Sequence, residues 1–116
     1  MSRTEEAASA VQRALLTCMG PGAAEQIALA QARLAWQEAV SAAGLERGSL
    51  SSRLITVRAG TAQVEASEPI LAQELTLRSE ALVHGVNKRL RGRPGATIEL
   101  RRLAISVGRG GRERSL

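Results

Sequence analysis

Apolar residues recur at helical spacing in two stretches near the start of the chain. The first, TEEAASAVQRALLTCM, predicts a helix with an apolar stripe of Ala7, Val11, Ala14, Leu15 and Cys18. Gly20-Pro21-Gly22 ends this helix, because proline cannot continue the hydrogen-bond ladder. The second stretch, AAEQIALAQARLAWQEAVSAA, predicts a helix that is apolar on two adjacent lines. We expect Trp36 to anchor this helix in the core and Gly44 to cap its C-terminal end.

A third helical pattern runs through SEPILAQELTLRSEALVHGVNKRL, residues 67–90. Ser67 can cap the first turn and Pro69 is tolerated only there, so one helix is predicted to begin near Glu68. Its apolar stripe consists of Leu71, Leu75, Leu82, Val86 and Leu90, with Ser79 in the gap. The helix is acidic at its start and basic at its end, which suits the helix dipole.

Two segments show the patterns of β-structure. RLITVRAGTAQVEA predicts a hairpin that turns at Ala59-Gly60, and ATIELRRLAIS predicts a third strand with a bulge near Arg101-Arg102. The predicted order is therefore α-α-β-β-α-β, an α+β fold in which helices pack on one face of a three-stranded sheet. We expect a single domain over residues 1–106, followed by a flexible basic tail, rich in Gly and Arg, at residues 107–116.

Composition narrows the function classes. The 116 residues include one cysteine, one histidine and no aspartate, so neither an internal disulfide, a zinc cluster nor an oriented catalytic histidine is expected. We therefore expect no enzyme activity, no metal and no cofactor, and His84 is interpreted as a surface or half-buried helix residue. No apolar run reaches the roughly 20 residues of a membrane helix, and a cytoplasmic monomer is expected.

Positive charge is concentrated in the last third of the chain. Residues 1–77 hold 6 Arg and 8 Glu, whereas residues 78–116 hold 9 Arg, 1 Lys and 3 Glu. A basic region confined to one end of a protein is typical of phosphate binding. The alternative is that this basic end is only solvated and binds no partner. The candidate nucleic-acid-binding residues are Lys88, Arg89, Arg91, Arg93, Arg101, Arg102, Arg109 and Arg112. With one aromatic residue in the chain, base stacking is nearly excluded, so binding is expected to be independent of sequence and sensitive to salt.

One short motif is discounted. Gly92-Arg93-Pro94-Gly95 matches the GxxG loop with which KH domains clamp a nucleic acid backbone. That loop joins two helices, whereas this one is predicted between a helix and a strand. We interpret it as a turn.

The middle of the chain contains a series of short motifs: Trp36 and Val40, then Val64 and Ser67 leading into Ala72, Gln73, Glu74 and Leu75, and Asn87 near the helix end. In these motifs the chain resembles the DciA family of bacterial replicative helicase loaders over about residues 27–105. Two positions depart from the family pattern. Ser41 stands where a glycine is expected, and Leu71 stands where an aromatic residue is often found.

The resemblance implies a KH-like domain that binds the replicative helicase DnaB and binds DNA to promote helicase loading. It places the partner contact around Leu71, Gln73 and Glu74, at the start of the third predicted helix. The alternative is a KH-like RNA-binding factor of ribosome assembly, because such factors combine the same kind of core with a basic surface.

Overall fold

The structure, a computed structural model, describes residues 22–108. Within this range the chain forms three helices and a three-stranded mixed sheet, which confirms the α+β class. The elements are α1 (Ala23–Ala42), β1 (Ser52–Arg58), β2 (Thr61–Ala66), α2 (Pro69–Leu77), α3 (Ser79–Leu90) and β3 (Arg102–Val107). The helix predicted at residues 4–18 and the chain beyond residue 108 lie outside the described residues. No helix within residues 22–108 combines the length and apolarity that crossing a bilayer requires.

α1 ends in a Schellman motif, as the position of Gly44 predicts. Gly44 has φ +71°, and its amide donates to the carbonyl oxygen of Ser41 at 3.1 Å. The amide of Leu45 donates to the carbonyl oxygen of Val40 at 3.0 Å, which completes the motif. The two bonds satisfy carbonyl groups that the end of the helix would otherwise leave free.

The sheet has the order β1-β2-β3, with β1 and β2 antiparallel and β2 and β3 parallel. The predicted hairpin is confirmed, and its turn residues Ala59 and Gly60 have φ +49° and +81°, as a type I′ turn requires. An irregularity in β1 between Leu54 and Thr56 shifts the register, so that Val57 pairs with Ala62. One face of the sheet is covered by the helices. The other, here called the open face, carries Arg53, Thr56, Arg58, Thr61, Gln63, Glu65, Arg102, Ala104 and Ser106.

The core lies between the covered face and the helices. Trp36 is fully buried there, as predicted, and its indole Nε1 donates to Ser52 Oγ at 3.0 Å. Side chains of α1 also cover the outer edge of β1. Arg33 donates to the carbonyl oxygens of Leu54 at 3.1 Å and Ile55 at 2.8 Å. These bonds satisfy backbone groups that an open strand edge would otherwise expose.

The prediction of a single helix over residues 67–90 is wrong, because this segment forms two helices, α2 and α3, that are separated at Arg78. The five predicted stripe residues are nevertheless all buried. α2 contacts β2 and β3, whereas α3 packs mainly on α1, so the two parts need different axes. The cap is also corrected: Glu68 is the N-cap, while Ser67 Oγ accepts from the Ser51 amide at 2.9 Å and donates to the Ser49 carbonyl oxygen at 3.0 Å.

The third strand is shorter than predicted. β3 begins only at Arg102, and the preceding residues run along the core without strand pairing. Leu100 is buried there at 2% exposure, and both of its backbone polar groups bond to the side chain of Asn87. The order within the described residues is therefore α-β-β-α-α-β. Residues 91–95 form turns, in agreement with the interpretation of the GxxG match.

Candidate nucleic-acid interface

The tip of the β1-β2 hairpin and the start of β3 meet at one end of the open face. Arg58 pairs with Thr61 across the hairpin, and Thr61 pairs with Arg102 in the parallel ladder. Arg58 and Arg102 therefore lie on either side of Thr61 and point to the same face. Their backbones are two strand spacings apart, roughly 10 Å.

Arg101 joins these two residues through its contact with the hairpin turn. Its amide donates to the carbonyl oxygen of Gly60 at 2.7 Å. Its side chain lies across Gly60 so closely that a Cβ added there would be 2.9 Å from Arg101 Cγ. Gly60 is thus required both by its positive φ and by this close approach.

We call Arg58, Arg101 and Arg102 the hairpin-end cluster. All three are exposed, and none forms a salt bridge with another residue in the range 22–108. Exposed guanidinium groups in this state are suited to bind phosphate, because each can donate two parallel hydrogen bonds to its oxygens.

Two of the predicted arginines at the end of α3 are already engaged with α1. Arg93 Nη2 pairs with Glu38, and Arg93 Nη1 donates to Gln31 Oε1 at 3.2 Å. Arg89 Nε lies 3.8 Å from Glu38 Oε1. The hydrogen bond from Arg93 lowers the pKa of Glu38, with the charges of Arg93 and Arg89 acting in the same direction and desolvation opposing them. Glu38 therefore remains ionised and offsets part of the charge expected for nucleic acid.

Lys88 and Arg91 are the exposed basic residues at the same helix end, and neither forms a salt bridge within the described part of the chain. The side chain of Asn87 forms two hydrogen bonds of 2.8 Å with the backbone of Leu100. Asn87 directly precedes Lys88, and Leu100 directly precedes Arg101. The end of α3 is therefore held beside the start of β3, where Arg101 and Arg102 of the hairpin-end cluster lie. The predicted residues Arg109 and Arg112 lie outside the described residues.

Arg58 was not among the predicted binding residues, although the sequence contains a signal for it. It directly precedes the predicted hairpin turn. A third strand that returns through a crossover helix runs parallel to β2 and so begins at the same end of the sheet as the turn. Parallel pairing of the third strand with β2 would therefore have placed Arg58 beside the start of that strand.

The predicted partner site needs a correction at Leu71. This side chain is 2% exposed and belongs to the core, so it is not available at the surface. Gln73 is exposed, and Glu74 is half-buried with its carboxylate 3.2 Å from Arg78 Nε. Sequence reasoning correctly assigned the apolar stripe of this helix to the core but gave the same residue a second role at the surface.

A different pair of apolar residues is exposed on α2. Ile70 and Leu77 are 66% and 73% exposed, and their spacing of seven residues puts them on one side of the helix together with Gln73 and Glu74. We call these four residues the α2 surface stripe. Sequence reasoning missed the two apolar members because they lie outside the core stripe, although their i, i+7 spacing is visible in the sequence.

No family model matches the chain, and no curated protein matches it. The fold and the candidate site by themselves define an α+β protein with a mixed three-stranded sheet and, at one end of its open face, a cluster of three exposed arginines that form no salt bridge with residues 22–108.

Proposed function

We propose that this protein is a KH-like accessory module that binds nucleic acid through its backbone phosphates and contacts the replicative helicase DnaB. The observation that carries the nucleic-acid part is the hairpin-end cluster, with three exposed arginines and no carboxylate paired to any of them within residues 22–108. Lys88 and Arg91 extend the positive surface at the nearby helix end. The order α-β-β-α-α-β with a mixed sheet supports the KH-like part of the proposal.

The chemistry of the open face favours binding without base recognition. It presents arginines, polar side chains, one alanine and one glutamate that pairs with Arg53, and none of its residues is aromatic. Stacking of bases on aromatic rings is the usual source of affinity for unpaired bases, so phosphate contacts have to supply the binding free energy here. Affinity should then fall steeply as salt is added.

The experiment is a salt series of fluorescence anisotropy titrations with labelled single-stranded and duplex DNA. The test variant is Arg58→Ser with Arg102→Ser, and the matched control is Arg47→Ser with Arg53→Ser. Both remove two exposed arginines, but Arg53 lies at the opposite end of the open face, paired with Glu65. The test variant should reduce the slope of log K against log salt by about 1.4 on single strands and about 1.8 on duplex. Equal slopes and affinities for the two double variants would refute the assigned surface.

The helicase part rests on the resemblance to DciA and on the α2 surface stripe. Exposed aliphatic residues at helical spacing are the anchors that a helix offers to an apolar groove of a partner. We expect the wild-type protein to co-elute with DnaB at moderate salt, and Ile70→Glu with Leu77→Glu to abolish co-elution. Ala81→Glu, at an exposed position of α3, is the control that adds charge elsewhere and should leave the complex intact.

Separate elution of the wild-type protein and DnaB would reject the helicase contact without affecting the DNA titrations. In that case sedimentation with 30S subunits would test the alternative, an RNA-binding factor of ribosome assembly. The open face serves either nucleic acid, because phosphate contacts alone do not distinguish RNA from DNA.

A further inference from the structure

The two outer edges of the sheet differ within residues 22–108. The outer edge of β1 is covered by α1, because Arg33 and Gln37 donate hydrogen bonds to carbonyl oxygens of this strand. β3 forms the other edge of the sheet, and no residue of this range hydrogen-bonds to its outer side. An uncovered strand edge is a template on which a strand from another chain can pair.

The backbone groups of β3 alternate between β2 and this outer side. The amide of Gly108 donates across to β2, to the carbonyl oxygen of Ala66 at 2.7 Å. Successive residues of a strand direct their backbone groups to opposite sides, so the amides and carbonyl groups of Leu103, Ile105 and Val107 point outward. These residues also carry aliphatic side chains on the covered face. The first two are half-buried against the core, and Val107 is 37% exposed.

The segment from Leu103 to Val107 contains none of the usual features that prevent edge strands from pairing. Its sequence, LAISV, has no charged residue and no proline. Its register with β2 is regular, so no bulge twists the edge away from an incoming strand. The nearest charge along the strand is that of Arg102, at its first position. This edge is therefore suited to pair with another apolar strand.

We propose that β3 pairs with β3 of a second copy, antiparallel, with Ile105 of one chain opposite Ile105 of the other. This register places Leu103 opposite Val107 in both directions, so each aliphatic side chain of the strand meets another. It also places Arg102 opposite Gly108, which keeps the like charges of the two chains apart. The occupant is a second copy because the strand is complementary to itself in this register, as a two-fold interface requires. The proposal replaces the monomer expected from the sequence.

Pairing of this kind joins the two sheets into one continuous sheet. Its two-fold axis is perpendicular to the sheet, so the open faces of both copies point to the same side. Arg102 of one copy is separated from Arg102 of the other by the distance from residue 102 to residue 108 along a strand, about 20 Å. This consequence rests on the proposed function: a dimer presents two hairpin-end clusters to one nucleic acid and gains affinity from the second contact.

The first test is sedimentation velocity of the full chain without nucleic acid, from about 1 to 500 µM. We expect a reversible equilibrium between monomer and dimer. Val107→Pro removes an outward amide but none of the bonds to β2, and it should abolish the dimer. Val107→Thr keeps the amide and the branched shape and should retain it. A wild-type protein that remains monomeric throughout, or equal dimerisation of the two variants, would overturn the proposal. Because no nucleic acid is present, this outcome is separate from the DNA titrations.

Disulfide trapping tests the register and does not depend on the proline variant. In the proposed register Ala104 lies opposite Ser106 of the second copy in a non-hydrogen-bonded pair, with Cα atoms about 4.5 Å apart, which a disulfide can span. In a Cys18→Ser background, a mixture of Ala104→Cys and Ser106→Cys chains should therefore cross-link on mild oxidation. Each variant alone should not, because its own positions are diagonal, about 7–8 Å apart. Failure of the mixture to cross-link, or equal cross-linking of Ala104→Cys alone, would refute this pairing.

Discussion

Asn87 should be among the most sensitive polar positions in the described part of the chain. Its Nδ2 donates to the carbonyl oxygen of Leu100 at 2.8 Å, and its Oδ1 accepts from the amide of Leu100 at 2.8 Å. Because Leu100 is 2% exposed, Asn87→Ala leaves a backbone donor and a backbone acceptor without partners next to the core. Each unsatisfied buried group costs about 1–3 kcal/mol. Asn87 is itself half-buried, so we expect the lower half of that range for each group, about 2–4 kcal/mol in total.

The assay is urea unfolding followed by the fluorescence of Trp36. This residue is the only aromatic side chain of the protein and is fully buried, so its emission reports on the core without a label. With a denaturant dependence of about 2 kcal/mol/M, Asn87→Ala should lower the unfolding midpoint by about 1–2 M. Lys88→Ala is the control on the adjacent, exposed position and should change the free energy of unfolding by less than about 0.5 kcal/mol. Equal midpoints for the two variants would refute the assignment of a structural clamp to Asn87.

Three further substitutions test separate features of the fold. Ser52→Ala removes the acceptor of the Trp36 indole N–H and should cost about 1–3 kcal/mol, measured by urea unfolding, whereas Ser51→Ala at an exposed position should be nearly neutral. The interactions that lower the pKa of Glu38 stabilise the folded state fully at pH values above the ordinary glutamate pKa of about 4.3. This stabilisation is lost as the pH falls through the lowered pKa. The difference in unfolding free energy between the wild-type protein and Glu38→Gln should therefore shrink as the pH falls through the lowered pKa of Glu38, and a difference that grows on acidification would contradict the ion pair. Ala59→Asn should increase the free energy of unfolding by up to about 1 kcal/mol and so raise the thermal midpoint, since asparagine accepts the left-handed backbone at this position with less strain; a lower midpoint would show that the turn does not have this geometry.

Local patterns in the sequence were sufficient for several elements. The hairpin turn at Ala59-Gly60, the cap at Gly44 and the burial of Trp36 all follow from residue type and short-range spacing, and the structure confirms them. The stripe of the predicted third helix is likewise buried as predicted. Such features depend on backbone preferences and side-chain periodicity within a few residues, which the sequence contains in full.

Which arginines belong to the candidate site depended more on tertiary contacts than on local sequence patterns. Arg89 and Arg93 were predicted to face nucleic acid, but Glu38, more than 50 residues earlier, pairs with both. No local rule joins positions so far apart. Arg58 shows the opposite case: the sequence places it directly before the hairpin turn, but it becomes part of a cluster only because the parallel strand β3 begins on the far side of Thr61.

The sequence by itself determined the buried stripe of the helical segment after the hairpin, the burial of Trp36 and the position of the hairpin turn, because these depend on periodicity and on the conformational limits of glycine and proline. Only the tertiary structure decided that the helix after the hairpin divides at Arg78, a residue that local propensity would keep helical. The division lets one half pack on the sheet and the other on α1. Among residues 22–108, the same packing of distant elements decided which arginines form salt bridges with carboxylates on other elements and which do not, since charges interact through space and not along the chain.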